Sequence, residues 1–264
     1  MNIFFRELRA NLKSLIIWSV VMILLILVGL AKFAAFYNNP TSLEMLNSLP
    51  KAMLDALSLR AFNLTTLTGL YGIMFVYFAL MGGIAAAMWG SDIISKEERD
   101  KTVEFSLVLP ISRGRVVTFK TLAVLFNCIV FVLVTWGMSL AVSQQYKPDA
   151  AFRSYLALEM EAMFVLELIF LALGLLLGCA MKQYKLASST ALAIILIAYL
   201  LSIVISLQTK LDFLKYLTPF KYFDAGEILR SGSLSAGYLA LSGGLIVVCL
   251  GIAYWIYNRR DLYI

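Results

Sequence analysis

Three carboxylates stand inside one long apolar run. Glu159, Glu161 and Glu167 fall in the stretch from Tyr155 to Met181, where most neighbours are Leu, Ala, Phe and Met. A carboxylate in such surroundings must reach water, pair with a donor or hold a proton. Those options serve a solute path and a packing residue alike. Glu159 and Glu161 lie near one end of the run, where solvation accounts for them. Glu167 lies near its middle. Gly174 and Gly178 follow on nearly the same stripe of a helix. Their small-xxx-small spacing lets a neighbouring helix approach closely. Glu167 is therefore expected to face protein or a cavity, with Asn127 as a candidate hydrogen-bond partner. Glu167, Glu159 and Asn127 are the candidate path residues, and Gly174 and Gly178 the candidate packing residues.

Nothing else in the chain has the makings of a reaction centre, so no catalytic residue is assigned. There is no histidine, and no span carries a Ser/His pair or a His/Asp/Glu cluster. Cys128, Cys179 and Cys249 are far apart and each lies in an apolar run, which argues for small apolar fillers and against a disulfide or a metal site. No GxxxxGK[ST] phosphate loop occurs, nor any Gly-Lys pair, so the chain does not read as a nucleotide hydrolase.

The elements that position these residues are membrane spans. Of the 264 residues, 61% are hydrophobic and only 14% charged, against about 25% charged in an ordinary soluble domain. The apolar residues fall in runs of about 20, the length that crosses a bilayer. Six spans are expected, at about Leu15–Phe36, Thr66–Trp89, Thr121–Val142, Tyr155–Met181, Leu186–Leu207 and Tyr238–Tyr257, within a single all-α integral membrane domain covering residues 1–264. The fourth and fifth spans are joined only by Lys182 to Lys185 and must form an antiparallel hairpin. The first run is long enough to span and lacks a small-residue cleavage pattern, so it reads as an uncleaved helix.

Six spans put both termini on one side. That side collects 13 of the 22 Lys and Arg, including Arg6, Arg9, Lys13, Arg113, Lys120 and Arg259, so both termini are expected in the cytoplasm. The net charge of +6 is thus a matter of membrane orientation, and no basic patch suggests nucleic acid. Before the first span, Phe4, Leu8 and Leu12 recur every four residues opposite Arg6, Arg9 and Lys13. This predicts an N-terminal interfacial helix lying against lipid headgroups; a plain extension of the first span is the alternative. On the outer side, Lys51 to Leu64 reads as a short surface helix. The aromatic segment containing Phe213, Tyr216, Phe220, Tyr222 and Phe223 is expected to anchor at the interface, dip into the bilayer or cap a cavity.

The segment Ser91–Lys120 reads SDIISKEERDKTVEFSLVLPISRGRVVTFK. Ser95 followed by Glu98 fits a capping box, and Glu97 and Glu98 suit a first helical turn. Val103 and Leu107 share a face, and Phe105 and Leu109 form a neighbouring pair. Pro110 ends the helix, and Ser112 is placed to cap the next. An amphipathic helix held between spans two and three can dock on a soluble partner, on lipid or on its own protein.

In order and spacing, Glu97, Glu98, Thr102, Pro110, Ser112, Arg113 and Lys120 resemble the first cytoplasmic loop of permeases in the type-2 class of ATP-binding-cassette (ABC) exporters. Leu217 to Asp224, LTPFKYFD, resembles that family's segment before the last helix. Lys101 departs from the pattern, where a Gly before the Thr is common. The resemblance covers nearly the whole chain. It implies that the loop is a coupling helix seated in a separate ATPase subunit, with Glu97, Glu98, Arg99, Thr102, Val103, Phe105, Leu107 and Arg113 as coupling residues. It further implies two ATPase copies that hold the ATP and Mg, a second permease subunit, identical or homologous, and residence in the cell (plasma) membrane. The substrate it implies is amphipathic or hydrophobic, such as an antimicrobial or signalling peptide. From the residues alone, a self-sufficient ion-coupled transporter or channel using Glu167 is the alternative, and a membrane-embedded enzyme is disfavoured.

Overall fold

A computed structural model describes residues 3–36, 62, 63, 65–99, 112–181 and 183–259. The long helices are α1 (Ile3–Phe36), α2 (Leu67–Arg99), α3 (Arg113–Ser143), α4 (Ala150–Ala180) and α5 (Tyr184–Leu207). Three 3-10 segments (Gln144–Tyr146, Thr209–Leu217 and Pro219–Lys221), a short α6 (Ala225–Ser231) and a final α7 (Ala236–Arg259) complete the described chain. All six long helices are long and apolar enough to cross a bilayer, as expected of an all-α, multi-pass membrane protein. Only helices satisfy every backbone group without water, which is why long apolar runs settle into them.

Hydropathy located the bilayer and not the helix ends. α3 begins at Arg113 rather than Thr121, and α4 at Ala150 rather than Tyr155. Polar turns continue a helix into water once the apolar part has formed it. The same reason removes the separate N-terminal helix: α1 runs unbroken from Ile3, the alternative reading of that segment. Its buried stripe is Ile3, Glu7, Asn11 and Leu15, with Phe4 and Leu8 beside it and Phe5 and Leu12 exposed. The predicted capping box at Ser95 is also absent. Ser95 lies inside α2, where its hydroxyl donates to the Ser91 carbonyl at 2.7 Å. Glu97 and Glu98 thus end α2 instead of opening a new helix. Ser112 does hold the N-cap position of α3, though its side chain makes no cap bond.

α4 and α2 are the most buried spans, and α7, α1 and α5 the most exposed. The outward faces of α1 and α5, such as Ile17, Val20, Ile197 and Leu200, are apolar, as a lipid-facing surface must be. The α2–α4 contact is made by small residues. A Cβ on Gly174 would stand 2.8 Å from Ala87 Cα, one on Gly178 2.7 Å from Ser91 O, and one on Gly90 3.0 Å from Leu175 N. These obstacles are backbone, which cannot rotate away.

One end of the bundle brings together the start of α1, the end of α2, the starts of α3 and α5 and the end of α7. Trp89 Nε1 donates to Ser14 Oγ at 2.9 Å. The Ser91 and Ser188 hydroxyls lie 2.8 Å apart, as do those of Thr118 and Tyr254 at 2.9 Å. We call this the loop end, because residues 100–111 connect α2 to α3 there. At the opposite end the aromatic segment folds back onto the bundle. Thr218 Oγ1 donates to Ala198 O at 2.7 Å, and Phe220 packs against Phe170 and Tyr199. This closes one side of a cavity of about 70 Å³ between α2 and α5, lined by Phe75, Tyr199, Ser202 and Phe223 among others. Tyr222 stacks on Tyr238 with ring centres 5.2 Å apart, while Phe213 and Tyr216 stay exposed. Asp224 caps α6 by accepting from Gly226 N and Glu227 N. Of the expected surface helix from Lys51 to Leu64, residues 51–61 and 64 lie outside the described residues, as do residues 100–111.

Because the α2–α4 contact is backbone against backbone, Gly174→Ala should destabilise the fold by about 1–3 kcal/mol, the usual cost of overpacking. Gly137→Ala is the control, since a Cβ there meets nothing within 4 Å. Thermal unfolding in mild detergent should show a lower midpoint for Gly174→Ala and an unchanged one for Gly137→Ala; equal midpoints would refute the close contact.

Candidate functional site

The loop end is held by charge. Glu7 on α1, only 1% exposed, pairs with Lys96 on α2 and with Arg6 at 3.2 Å. Lys120 on α3, fully buried, brings its Nζ to 4.0 Å from Glu7. The same Nζ donates to Ile93 O on α2 at 2.7 Å. One carboxylate therefore faces ammonium groups from both helices that flank residues 100–111. Burying these charges is costly, and it is offset only because they are buried together with their partners. Phe4 packs edge-on against Phe126 nearby, and Trp89 against Phe131.

The candidate coupling residues divide into those the structure places and those it does not. Glu97, Glu98 and Arg99 form the last turn of α2, and Arg113 is the first residue of α3. Thr102, Val103, Phe105 and Leu107 lie outside the described residues. The sequence pattern marks Lys120 only as the closing Lys of the family-like loop, and it does not mark Glu7 or Lys96 as its partners. The available signal was Glu7 itself, the lone acid among Arg6, Arg9 and Lys13, spaced four residues from Ile3 and from Asn11. The apolar spacing of Phe4, Leu8 and Leu12 masked that stripe.

A second polar group runs through the bundle interior. Glu167 is fully buried and lies against α2, where a Cβ on Gly82 would stand 2.8 Å from its Oε1. The Cys128 thiol of α3 lies beside it, but no donor makes a well-formed hydrogen bond to either oxygen. The expected bond to Asn127 is not made: Asn127 is buried, and its Nδ2 also has no hydrogen-bond partner. Glu159 departs from expectation. It is fully buried rather than solvated, while Glu161, on another face of α4, is exposed. The helix starts early, at Ala150 after the N-cap Asp149, which accepts from Phe152 N at 2.7 Å, but the reason for the burial is the face: Glu159 lies on the side of α4 that carries Tyr155 and Met163 inward, and Glu161 on the side turned away. Its neighbours are aromatic hydroxyls. Tyr155 donates to Ala225 O at 3.0 Å and Tyr71 to Ser139 O at 3.2 Å, which leaves both Glu159 oxygens without a hydrogen bond.

This arrangement offers no nucleophile with a base. Among the described residues, no three His, Cys, Asp or Glu side chains converge as metal ligands do, and the three cysteines form no disulfide. The interior can hold protons or polar solute groups at Glu159 and Glu167, and the loop end can hold helices in register. Buried polar atoms without partners contribute no stability. Glu159→Met and Glu167→Met should therefore unfold at the parent temperature or above it. A loss on the scale of a broken buried ion pair, about 3–5 kcal/mol, would show that these carboxylates have structural partners.

Comparison with curated proteins yields no match. Comparison with protein families gives a match over residues 1–262 to the family described as ABC-2 family transporter protein. The match takes in all six spans, the loop between α2 and α3 and the aromatic segment before α7. The chain belongs to the ABC-2 family of transporter proteins and is the membrane-spanning permease component of an ABC transporter.

Proposed function

We propose that this permease exports an amphipathic or hydrophobic substrate across the cell membrane, driven by a separate ATPase that docks on residues 97–109. A permease of this family implies an ATPase partner. The observation that carries the docking reading is the convergence of helix ends around residues 100–111. α2 and α3 are fastened to each other there by Lys120 and Ile93 O, so a push on the segment between them moves two spans together. Arg6, Arg9, Lys13, Lys96 and Arg113 cluster at this end, as the cytoplasmic side of a membrane protein requires. Two ATPases and a second permease, identical or homologous, complete the proposed assembly, and ATP and Mg belong to the partner.

Glu167, Glu159 and Asn127 are proposed to serve the substrate path. Unpaired buried carboxylates are costly unless function retains them, and a cationic group on the substrate would satisfy them. A packing role is the second reading, favoured by the fit of Glu167 against Gly82.

Val103→Asp and Leu107→Asp test the docking surface, since each would place an unpaired charge in the contact. Both variants should insert in the membrane at parent levels, because the segment lies outside the spans, and should lose co-purifying ATPase and transport. Unchanged complex formation would remove residues 97–109 from the coupling role.

A further inference from the structure

We propose that Glu7 is the joint through which displacement of residues 100–111 reaches α1, which makes it a positioning residue for transport. The inference rests on the coupling reading above and goes beyond it, because no part of that reading involves the N-terminal turns.

The geometry is specific. Lys96 lies in the last turns of α2 and Lys120 in the early turns of α3, so the two helices that leave and re-enter the loop each send one ammonium to the same carboxylate. Lys120 also bonds Ile93 O, so the flanks of the loop are tied to each other independently of the loop itself. A displacement of one flank carries the other, and Glu7 rides on both.

Among the described residues, α1 makes no second buried ion pair farther along. Most of its surface is apolar and turned outward, as at Ile16, Ile17, Val20, Leu24 and Val28. Its inner stripe of Leu15, Met22, Ile26, Leu30 and Phe33 packs on α3 and α2 through apolar contacts. Such contacts are non-directional and let one helix slide or rotate against another at little cost. A buried ion pair does not, because moving the charges apart leaves each of them desolvated and unpaired. The Trp89–Ser14 hydrogen bond adds a second, weaker tie two turns along. Without Glu7, α1 keeps its apolar contacts and loses its register with the loop flanks.

The test uses the complete complex with its ATPase in lipid nanodiscs, with the natural cysteines replaced and spin labels placed at exposed positions. Val20–Ile197 reports α1 against α5, Leu133–Ile197 reports α3 against α5, and Leu12–Leu122 reports α1 against α3. In the parent, nucleotide binding should change the first two distances and leave the third constant. In Glu7→Gln the α3–α5 change should persist and the α1–α5 change should vanish. Transport should fall about tenfold, within the range of coupling lost along such networks, with ATPase content unchanged. Glu7→Asp, which keeps the charge, should recover most of that transport, which a purely structural role would not predict. An α1–α5 change that survives in Glu7→Gln, or an α1–α3 distance that changes in the parent, would overturn the proposal. If Glu7→Gln does not assemble, the parent α1–α3 pair decides alone. A parent complex with no α3–α5 change would instead sink the coupling reading, and this inference with it.

Discussion

Gly174 lies so close to Ala87 that no larger residue fits between the two helix backbones, and the rest of the bundle is arranged around that contact. Lipid tails are as apolar as leucine, so helices in a bilayer gain little by hiding apolar surface from their solvent. They gain by packing closely, and glycines on both α2 and α4 allow it. Once these two helices are seated, α3, α5 and α7 find positions against them, while α1 packs on α2 and α3 with most of its surface turned outward. The contact also fixes the faces of α4, which turns Glu159 and Glu167 inward and Glu161 outward.

The two polar groups inside the protein solve opposite problems. At the loop end the charges are of both signs, and each is buried with partners, so they give a stiff and directional link. In the interior the carboxylates of Glu159 and Glu167 lack hydrogen-bond partners, so they supply little stability and leave capacity for another role. Under the proposed function, the first would transmit force from a partner and the second would stay incomplete until substrate arrives. The aromatic segment adds a third element, since Phe220 and its neighbours cover the opposite end of the α2–α5 side.

The spans were legible in the sequence because hydropathy reports the bilayer directly, and the six long helices fall where the apolar runs do. Their ends were not, because Arg113–Lys120 and Ile3–Ser14 are polar enough to leave the bilayer and regular enough to stay helical. Glu98 after Ser95 satisfied a capping rule that is local, and the continuation of α2 overrode it. Glu159 was misplaced because its burial depends on which face of α4 packs inward, and that is set by the contact with α2, not by distance from the end of the apolar run. The Glu7 group was hidden for a different reason. Its three charges come from three helices and are adjacent only after the bundle forms, so no spacing along the chain encodes them. The small residues of α2, Gly82, Gly83 and Gly90, stood in plain view within GGIAAAMWGS, but which helix they face is a property of the fold.

On the proposed function, this chain moves substrate only as part of an ATP-driven complex. The most direct measurement is native mass spectrometry of the complex purified through a tag on this chain, paired with an ATP hydrolysis assay of the same sample. The expected mass includes ATPase subunits together with the permease, and the expected hydrolysis is vanadate-sensitive and disappears when those subunits are stripped away. A permease that purifies without an ATPase and transports at full rate in vesicles lacking ATP would contradict it.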